Sequence, residues 1–256
     1  MPALHASTRG TGPRLVLLHG FTQTSVSWAP VADLLAPDHE VVTVDLPGHG
    51  GSGEVRLDLA GTATAVAEVG SAATYVGYSM GGRVALRLAL DRPEVVRHLV
   101  LVGATAGIDD ADERRARRQA DEDLAARIER EGVEPFLATW LAQPLFAGLT
   151  PRPEDLAARR AGTAGGLAAS LRLAGTGTMD PPWWDELPAL GRAGVAVTVV
   201  VGGEDTKFLG LGRRLVAGIG PTATVEVVAG AGHACHLQAP EAVAALVRRA
   251  ARPSGP

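Results

Sequence analysis

The stretch Gly77-Tyr78-Ser79-Met80-Gly81-Gly82 is the most informative part of the chain. It follows the apolar, strand-like run Tyr75 to Gly77 and leads into Arg83 to Asp91, a run of helical composition. A serine with glycine two residues to either side, placed between a strand and a helix, is the pattern of a nucleophile elbow. Such a turn holds the serine in a strained backbone conformation with its hydroxyl clear of the sheet. Side chains at Gly77 or Gly81 would keep the strand and the helix apart.

A serine hydroxyl is a poor nucleophile or base until a histidine takes its proton and a carboxylate orients that histidine. Behind an elbow of this kind the partners follow in the order Asp or Glu, then His. Asp205 ends Gly202-Gly203-Glu204-Asp205, directly after the β-branched run Val195 to Val201, which places it at a strand's carboxyl end. Aspartate is also a common turn residue, and Glu204 is the neighbouring alternative. His233, in Ala231-Gly232-His233, follows the last strand-like run. His236 is the competing base, but it falls within or beside the final helix, so position favours His233. Backbone N–H groups of Phe21 and Met80 are the candidates for holding a developing oxyanion. His19, in His19-Gly20-Phe21, reads as a brace for that loop, and Asp45 to Gly50 as a turn at a strand end. Neither a metal-ligand spacing nor a dinucleotide fingerprint occurs, so no metal and no cofactor are expected.

Further out, Leu15 to Leu18, Val41 to Val44, Leu99 to Val102 and Val225 to Val228 join the two strand-like runs already named. They are apolar almost throughout, as strands covered on both faces must be. Val31 to Ala36 and Glu241 to Ala251 have helical composition, and the alternation predicts a mostly parallel, doubly wound sheet. From about Gly107 to about Leu190 the rhythm stops and helix formers dominate. Asp109 to Glu131 alone carries nine acidic and six basic residues, which reads as a solvated helix laced with ion pairs. A helical insertion between two strands predicts a lid over the strand ends, where ligands of open α/β sheets bind. The expected division is therefore a first core part at 1–106, a lid at 107–190 and a second core part at 191–256.

Composition excludes several function classes. With 256 residues, 46% of them hydrophobic and 20% charged, the chain can bury a sizeable core. A formal net charge of −4 offers nothing to capture nucleic acid or an anionic membrane. Cys235 is the one cysteine, so no internal disulfide can form. Met1 to Gly10 has no apolar run of the signal-peptide kind, and no later stretch is long and apolar enough to span a bilayer. The expectation is a cytoplasmic protein acting on a small molecule, with no nucleic-acid or membrane partner; no oligomeric state is read from the sequence.

Taken together, these segments resemble the α/β-hydrolase superfamily over nearly the whole chain. Within it the sequence is similar to the 2-succinyl-6-hydroxy-2,4-cyclohexadiene-1-carboxylate synthases of menaquinone biosynthesis. The similarity is carried by His19-Gly20-Phe21, Gly77 to Arg83, Glu113 to Asp121, Trp140 to Phe146, Gly166 to Arg172 and Gly203 to Phe208. The lid segments among these are the more specific ones. That family is a lyase: it eliminates pyruvate from an enolpyruvyl cyclohexene carboxylate by abstracting a ring proton. The resemblance implies that Ser79, backed by His233 and Asp205, acts as the base. It further implies that Tyr78, Arg83, Arg117, Trp140 and Arg159 meet a carboxylated substrate, with Arg118 and Arg160 as adjacent alternatives. Guanidinium groups suit that task because they bind carboxylates through paired N–H donors. Two departures stand out: Gly162-Thr163 replaces a Gln-Asn pair usual in the family, and Gln238 stands where a glutamate is common. Alternative readings are a carboxylic-ester hydrolase working through an acyl-Ser79, and a catalytically silent binding module on the same fold.

Overall fold

Seven strands build the sheet: β1 (Ala6–Arg9), β2 (Arg14–Leu18), β3 (Glu40–Val44), β4 (Ala73–Tyr78), β5 (Val96–Val102), β6 (Val197–Gly202) and β7 (Ala223–Val228). The structure, a computed structural model, describes residues 3–252; Met1, Pro2 and the Pro/Gly-ended tail beyond Arg252 lie outside them. The strands lie in the order β1-β3-β2-β4-β5-β6-β7, and all pairs are parallel except β1 against β3. The six strands expected from the sequence are β2 to β7. β1 was not legible because it is an edge strand of composition Ala-Ser-Thr-Arg with no fully buried residue. An edge strand has only one neighbour to pack against, so it needs no apolar run.

Helices α1 (Ala29–Leu35), α2 (Leu59–Gly70), α3 (Met80–Asp91), α4 (Ala111–Glu131), α5 (Val133–Leu141), α6 (Pro153–Arg160), α7 (Ala164–Ala174), α8 (Pro188–Arg192), α9 (Thr206–Ile219), α10 (Cys235–Gln238) and α11 (Pro240–Ala250) complete the chain. Successive side chains of a strand point to opposite faces. Thus Val16 and Leu18 of β2 enter the core on one face while Leu15 and Leu17 enter the core on the other. The same alternation in β5 sends Leu99 and Leu101 one way, Val100 and Val102 the other. Helices α2, α3 and α9 supply the first core, and α1 and α11 the second.

Between β5 and β6 the described chain is helical and contains no strand. This insert has a small core of its own, with Ala125 and Ile128 of α4, Phe136 and Leu137 of α5, and Leu167, Ala168 and Leu171 of α7. Its last part behaves differently. Met179, Trp183, Trp184, Leu187 and Leu190 join the main core beside α3 and α9. Among the described residues no helix is long and apolar enough to cross a membrane.

Strand order positions the site. The chain runs from β2 outward to β3 and then crosses back to place β4 on β2's other side, so the loops after β2 and β4 diverge at a switch point. A crevice opens at such a reversal, at the carboxyl ends of the strands. Leu18 pairs with Gly77 there, which brings the Gly20-Phe21 loop beside Ser79.

Candidate active site

Ser79 sits between β4 and α3 with φ 50° and ψ −105°, in the left-handed region that L-residues avoid. Its N–H donates to the Val102 carbonyl at 2.8 Å, and its own carbonyl accepts from Arg83 N–H at 3.1 Å. The glycines around it have no room for side chains. A Cβ at Gly77 would lie 2.2 Å from the Gly81 carbonyl oxygen, and one at Gly81 2.3 Å from that of Leu18.

Asp205 follows β6 and caps α9, accepting the Phe208 N–H at 3.2 Å through one carboxylate oxygen. Its other oxygen lies 2.7 Å from Nδ1 of His233, in the loop after β7. With Nδ1–H donating to the carboxylate, Nε2 of His233 faces the Ser79 hydroxyl at 3.4 Å. That is long for an O–H···N bond, as resting catalytic hydrogen bonds often are. His233 and Asp205 are both buried, and the imidazole is packed by the rings of Phe208 at 4.3 Å and Tyr78 at 5.3 Å. The structure therefore brings Ser79, His233 and Asp205 into one hydrogen-bonded line able to move the serine proton to the imidazole. The two alternatives fall elsewhere. Glu204 is exposed to solvent. His236 is fully buried in α10, between Trp28 at 4.6 Å and Tyr78 at 4.2 Å, with neither ring nitrogen bonded. Burial, reinforced by Arg159, holds its pKa well below the usual value.

Phe21 and Met80 face the same cavity as Ser79. Among the described residues no protein acceptor takes the N–H of either, while Gly81 N–H bonds to the His19 carbonyl. The Gly20–Phe21 peptide is held from its other side. Gly20 C=O accepts from Gln23 N–H at 3.1 Å and from Nδ1 of His19 at 2.8 Å. Because the amide is planar and trans, anchoring its carbonyl also sets the direction of the Phe21 N–H. Nε2 of His19 in turn accepts the Leu46 N–H at 3.0 Å. Burial pushes His19 down to about 4, so it is neutral and serves the brace expected of it.

The cavity holds about 520 Å³ and brings the five candidate substrate residues together with the serine. Arg83, one turn into α3, is buried; its Nη2 donates to the Ala174 carbonyl at 2.7 Å, and its Nε has no partner among the described residues. Burial, then the neighbouring Arg117, lowers it to about 10, still cationic at neutral pH. Arg159 of α6 donates through Nε to Asp155 at 2.9 Å and through Nη1 to the Thr22 hydroxyl at 2.9 Å. Its Nη2 is buried and has no partner among the described residues. Arg117 is partly exposed and donates through Nε to Asp121 at 2.9 Å. Trp140 stands edge-on to Phe21 at 5.2 Å, and its Nε1 is likewise unpaired. Burial raises the Tyr78 hydroxyl pKa. Arg118 turns instead to the Gly177 carbonyl, and Arg160 is an exposed residue facing Glu134.

Some wall residues carried no sequence signal. Asp121 is buried between Arg117 and Arg83, with Oδ2 unpaired; burial raises its pKa against the pull of Arg117. Its position in a charge-dense helix hid it, since the neighbours Glu122 and Asp123 look alike in sequence. Asp155 and Ser27 lie behind Arg159, and only the Asp155/Arg159 spacing of four residues hinted at a pair. Of the two departures, Thr163 caps α7 through the Gly166 N–H at 3.0 Å, and neither Gly162 nor Thr163 lines the cavity. The Gln238 carboxamide accepts the Gly232 N–H at 2.7 Å, next to His233.

With this geometry in view, the comparisons are informative. The alpha/beta hydrolase family matches residues 15–246. A Yersinia pestis protein named 2-succinyl-6-hydroxy-2,4-cyclohexadiene-1-carboxylate synthase is 34% identical over 244 residues, covering 92% of this chain and 86% of its own. The solved structure of MenH from S. aureus is 27% identical and superposes with a TM-score of 0.86, covering 96% of this chain and 97% of that one. A thermophilic esterase from Thermogutta terrifontis is 25% identical with a TM-score of 0.76, covering 96% and 92%. The match over nearly the full length, and to synthases by name, means that this chain belongs to the alpha/beta hydrolase family and is an enzyme of the branch that contains the 2-succinyl-6-hydroxy-2,4-cyclohexadiene-1-carboxylate synthases.

Proposed function

We propose that the protein eliminates pyruvate from 2-succinyl-5-enolpyruvyl-6-hydroxy-3-cyclohexene-1-carboxylate, a step of menaquinone biosynthesis, with Ser79 as the base. The observation that carries this reading is the pair of arginines on a wall shared with Ser79 whose buried N–H groups, Arg83 Nε and Arg159 Nη2, have no partner among the described residues. Leaving a buried charged donor unpaired is costly, and a substrate carboxylate removes that cost. A neutral ester offers these cationic donors only an uncharged acceptor, so the arginines favour a polycarboxylate over the ester-hydrolase alternative.

In this mechanism His233 takes the Ser79 proton, Asp205 stabilises the imidazolium that results, and the Ser79 oxygen removes the ring proton. The C–O bond to the enolpyruvyl group then breaks with the electron pair on oxygen, the group leaves as the enolate of pyruvate, and the proton held by His233 goes to it, giving pyruvate and a neutral imidazole. No bond forms between Ser79 and the substrate, which separates this chemistry from acyl transfer. The N–H groups of Phe21 and Met80 would take the negative charge that develops on the substrate as the proton leaves. Tyr78 and Trp140 would pack the ring, and the helical insert, read as a lid, would keep water out.

The experiment is release of pyruvate from that substrate by the wild-type protein, Ser79→Ala and Arg83→Ala. Efficient release that Ser79→Ala abolishes and Arg83→Ala weakens is expected. Failure to release pyruvate, with Ser79-dependent cleavage of a simple ester, would overturn the lyase reading and favour the hydrolase.

A further inference from the structure

We propose that Thr22 is a positioning residue through which helix α6 of the insert sets the Phe21 N–H, so that the insert and the oxyanion site work as one unit. The inference rests on the reading above that this N–H meets the developing negative charge. Thr22 does not line the cavity. It is buried, and its φ is 69°, a conformation that β-branched residues rarely adopt. Such backbone persists only where the surroundings over-determine it.

Two side chains do so here. The Thr22 N–H donates to Nε2 of His49 at 3.2 Å, and the Thr22 hydroxyl accepts from Nη1 of Arg159 at 2.9 Å. Arg159 is itself fixed, because its Nε donates to Asp155 at 2.9 Å and the Ser27 hydroxyl holds the second Asp155 oxygen. A buried chain of hydrogen bonds thus runs from α6 to the residue that follows Phe21. The Thr22 N–H lies on the Phe21–Thr22 peptide, the next one along, so fixing Thr22 fixes how the chain leaves Phe21 and, together with the anchors on the Gly20 carbonyl, the direction of the Phe21 N–H.

The remaining arm of Arg159 gives the arrangement a use. A guanidinium is planar and stiff, so its donors move together. Nη2 is unpaired and buried, on a residue that lines the cavity. A carboxylate bound there therefore also settles the Nη1 bond to Thr22. Binding energy from a remote substrate group is then realised at the reacting centre, and its loss appears in kcat rather than in KM.

The test is steady-state pyruvate release by the wild-type protein, Thr22→Val and Thr22→Ser, with a thermal melt of each. Thr22→Val keeps the shape and loses the hydroxyl. It is expected to lose about tenfold or more in kcat, part of what a missing oxyanion donor costs, with KM near wild type and a cooperative melt lowered only by the lost Arg159 bond. Thr22→Ser is expected to restore the rate. A folded Thr22→Val protein with unchanged kcat, or a loss confined to KM, would overturn the proposal. Should Thr22→Val fail to fold, Thr22→Ala, which also loses the hydroxyl but not at the cost of a β-branched side chain at φ 69°, is expected to give the same split, and its absence would be equally decisive. A wild-type protein that releases no pyruvate fails the functional reading alone. The same kcat comparison is then made on Ser79-dependent hydrolysis of p-nitrophenyl acetate, whose oxyanion would face the same N–H.

Discussion

At residue 79 the backbone occupies a left-handed conformation and the side chain faces a buried imidazole, so the proposed catalytic role of the serine and the packing of its turn can be separated by mutation. Ser79→Ala removes only the hydroxyl and should leave folding nearly intact while abolishing turnover; retained activity in a pyruvate assay would remove the serine from the mechanism. Gly77→Ala acts on the other role. Its Cβ would meet the Gly81 carbonyl oxygen at 2.2 Å, and backbone cannot yield as a flexible side chain can. A loss of about 1–3 kcal/mol, the usual cost of overpacking, is expected in urea denaturation. An Arg83→Ala variant should lose turnover by on the order of several kcal/mol of transition-state stabilisation, since the proposed charged, desolvated contact to substrate is removed. The pattern glycine-x-serine-x-glycine was legible in sequence because each residue type is dictated by local geometry. Asp121 was not, because its burial depends on which side of α4 meets α7.

Helix α6 shows how an element gains meaning from what it packs against. Pro153 to Arg160 reads as an ordinary charged surface helix, yet Asp155 and Arg159 are fully buried, 0% and 2% exposed. Asp155→Ala would leave Arg159 as an uncompensated buried charge, and a destabilisation of about 3–5 kcal/mol is expected from the urea midpoint. Arg172, which joins Glu122 and Glu129 across the outside of α4 and α7, is the control. Its pairs are solvent-exposed, so Arg172→Ala should cost only about 1 kcal/mol or less. Equal losses in the two variants would contradict the distinction. The edge strand β1 and the glycine-bearing helix α9 escaped the sequence reading for a related reason. Gly212 in α9 packs against Val199 and Val201, where the tight fit of helix to sheet outweighs the low helix propensity of glycine.

The molecule as a whole buries three histidines in the region behind the site. Burial is the first cause of each low pKa: about 4 for His19, about 3 for His49, and well below the usual value for His236. In the unfolded chain each titrates near its ordinary value of about 6.5. Folding therefore releases no proton from these residues at high pH, and unfolding takes protons up once the pH drops below that value. Their stability contribution is complete above about pH 6.5 and is lost as pH falls toward the folded pKa values. Each histidine contributes a slope of up to about 1.4 kcal/mol per pH unit in that window. Urea midpoints measured from pH 7.5 down to pH 5 should fall accordingly. A flat profile would show that these rings are hydrated or already charged in the folded protein.

The sequence by itself determined the parallel sheet, the elbow at Ser79 and the positions of Asp205 and His233. Those features follow from local rules: apolar runs make strands that are covered on both faces, and glycine alone fits where backbones touch. Which arginines turn inward was decided only by the tertiary structure. Arg117 and Arg118, like Arg159 and Arg160, differ by one position on a helix, a rotation of about 100°, which follows from 3.6 residues per turn. One neighbour of each pair then reaches the cavity while the other meets the Gly177 carbonyl or Glu134. The choice is made by packing against residues far away in the chain, among them Thr22 and Ser27 for α6, and no local pattern encodes it.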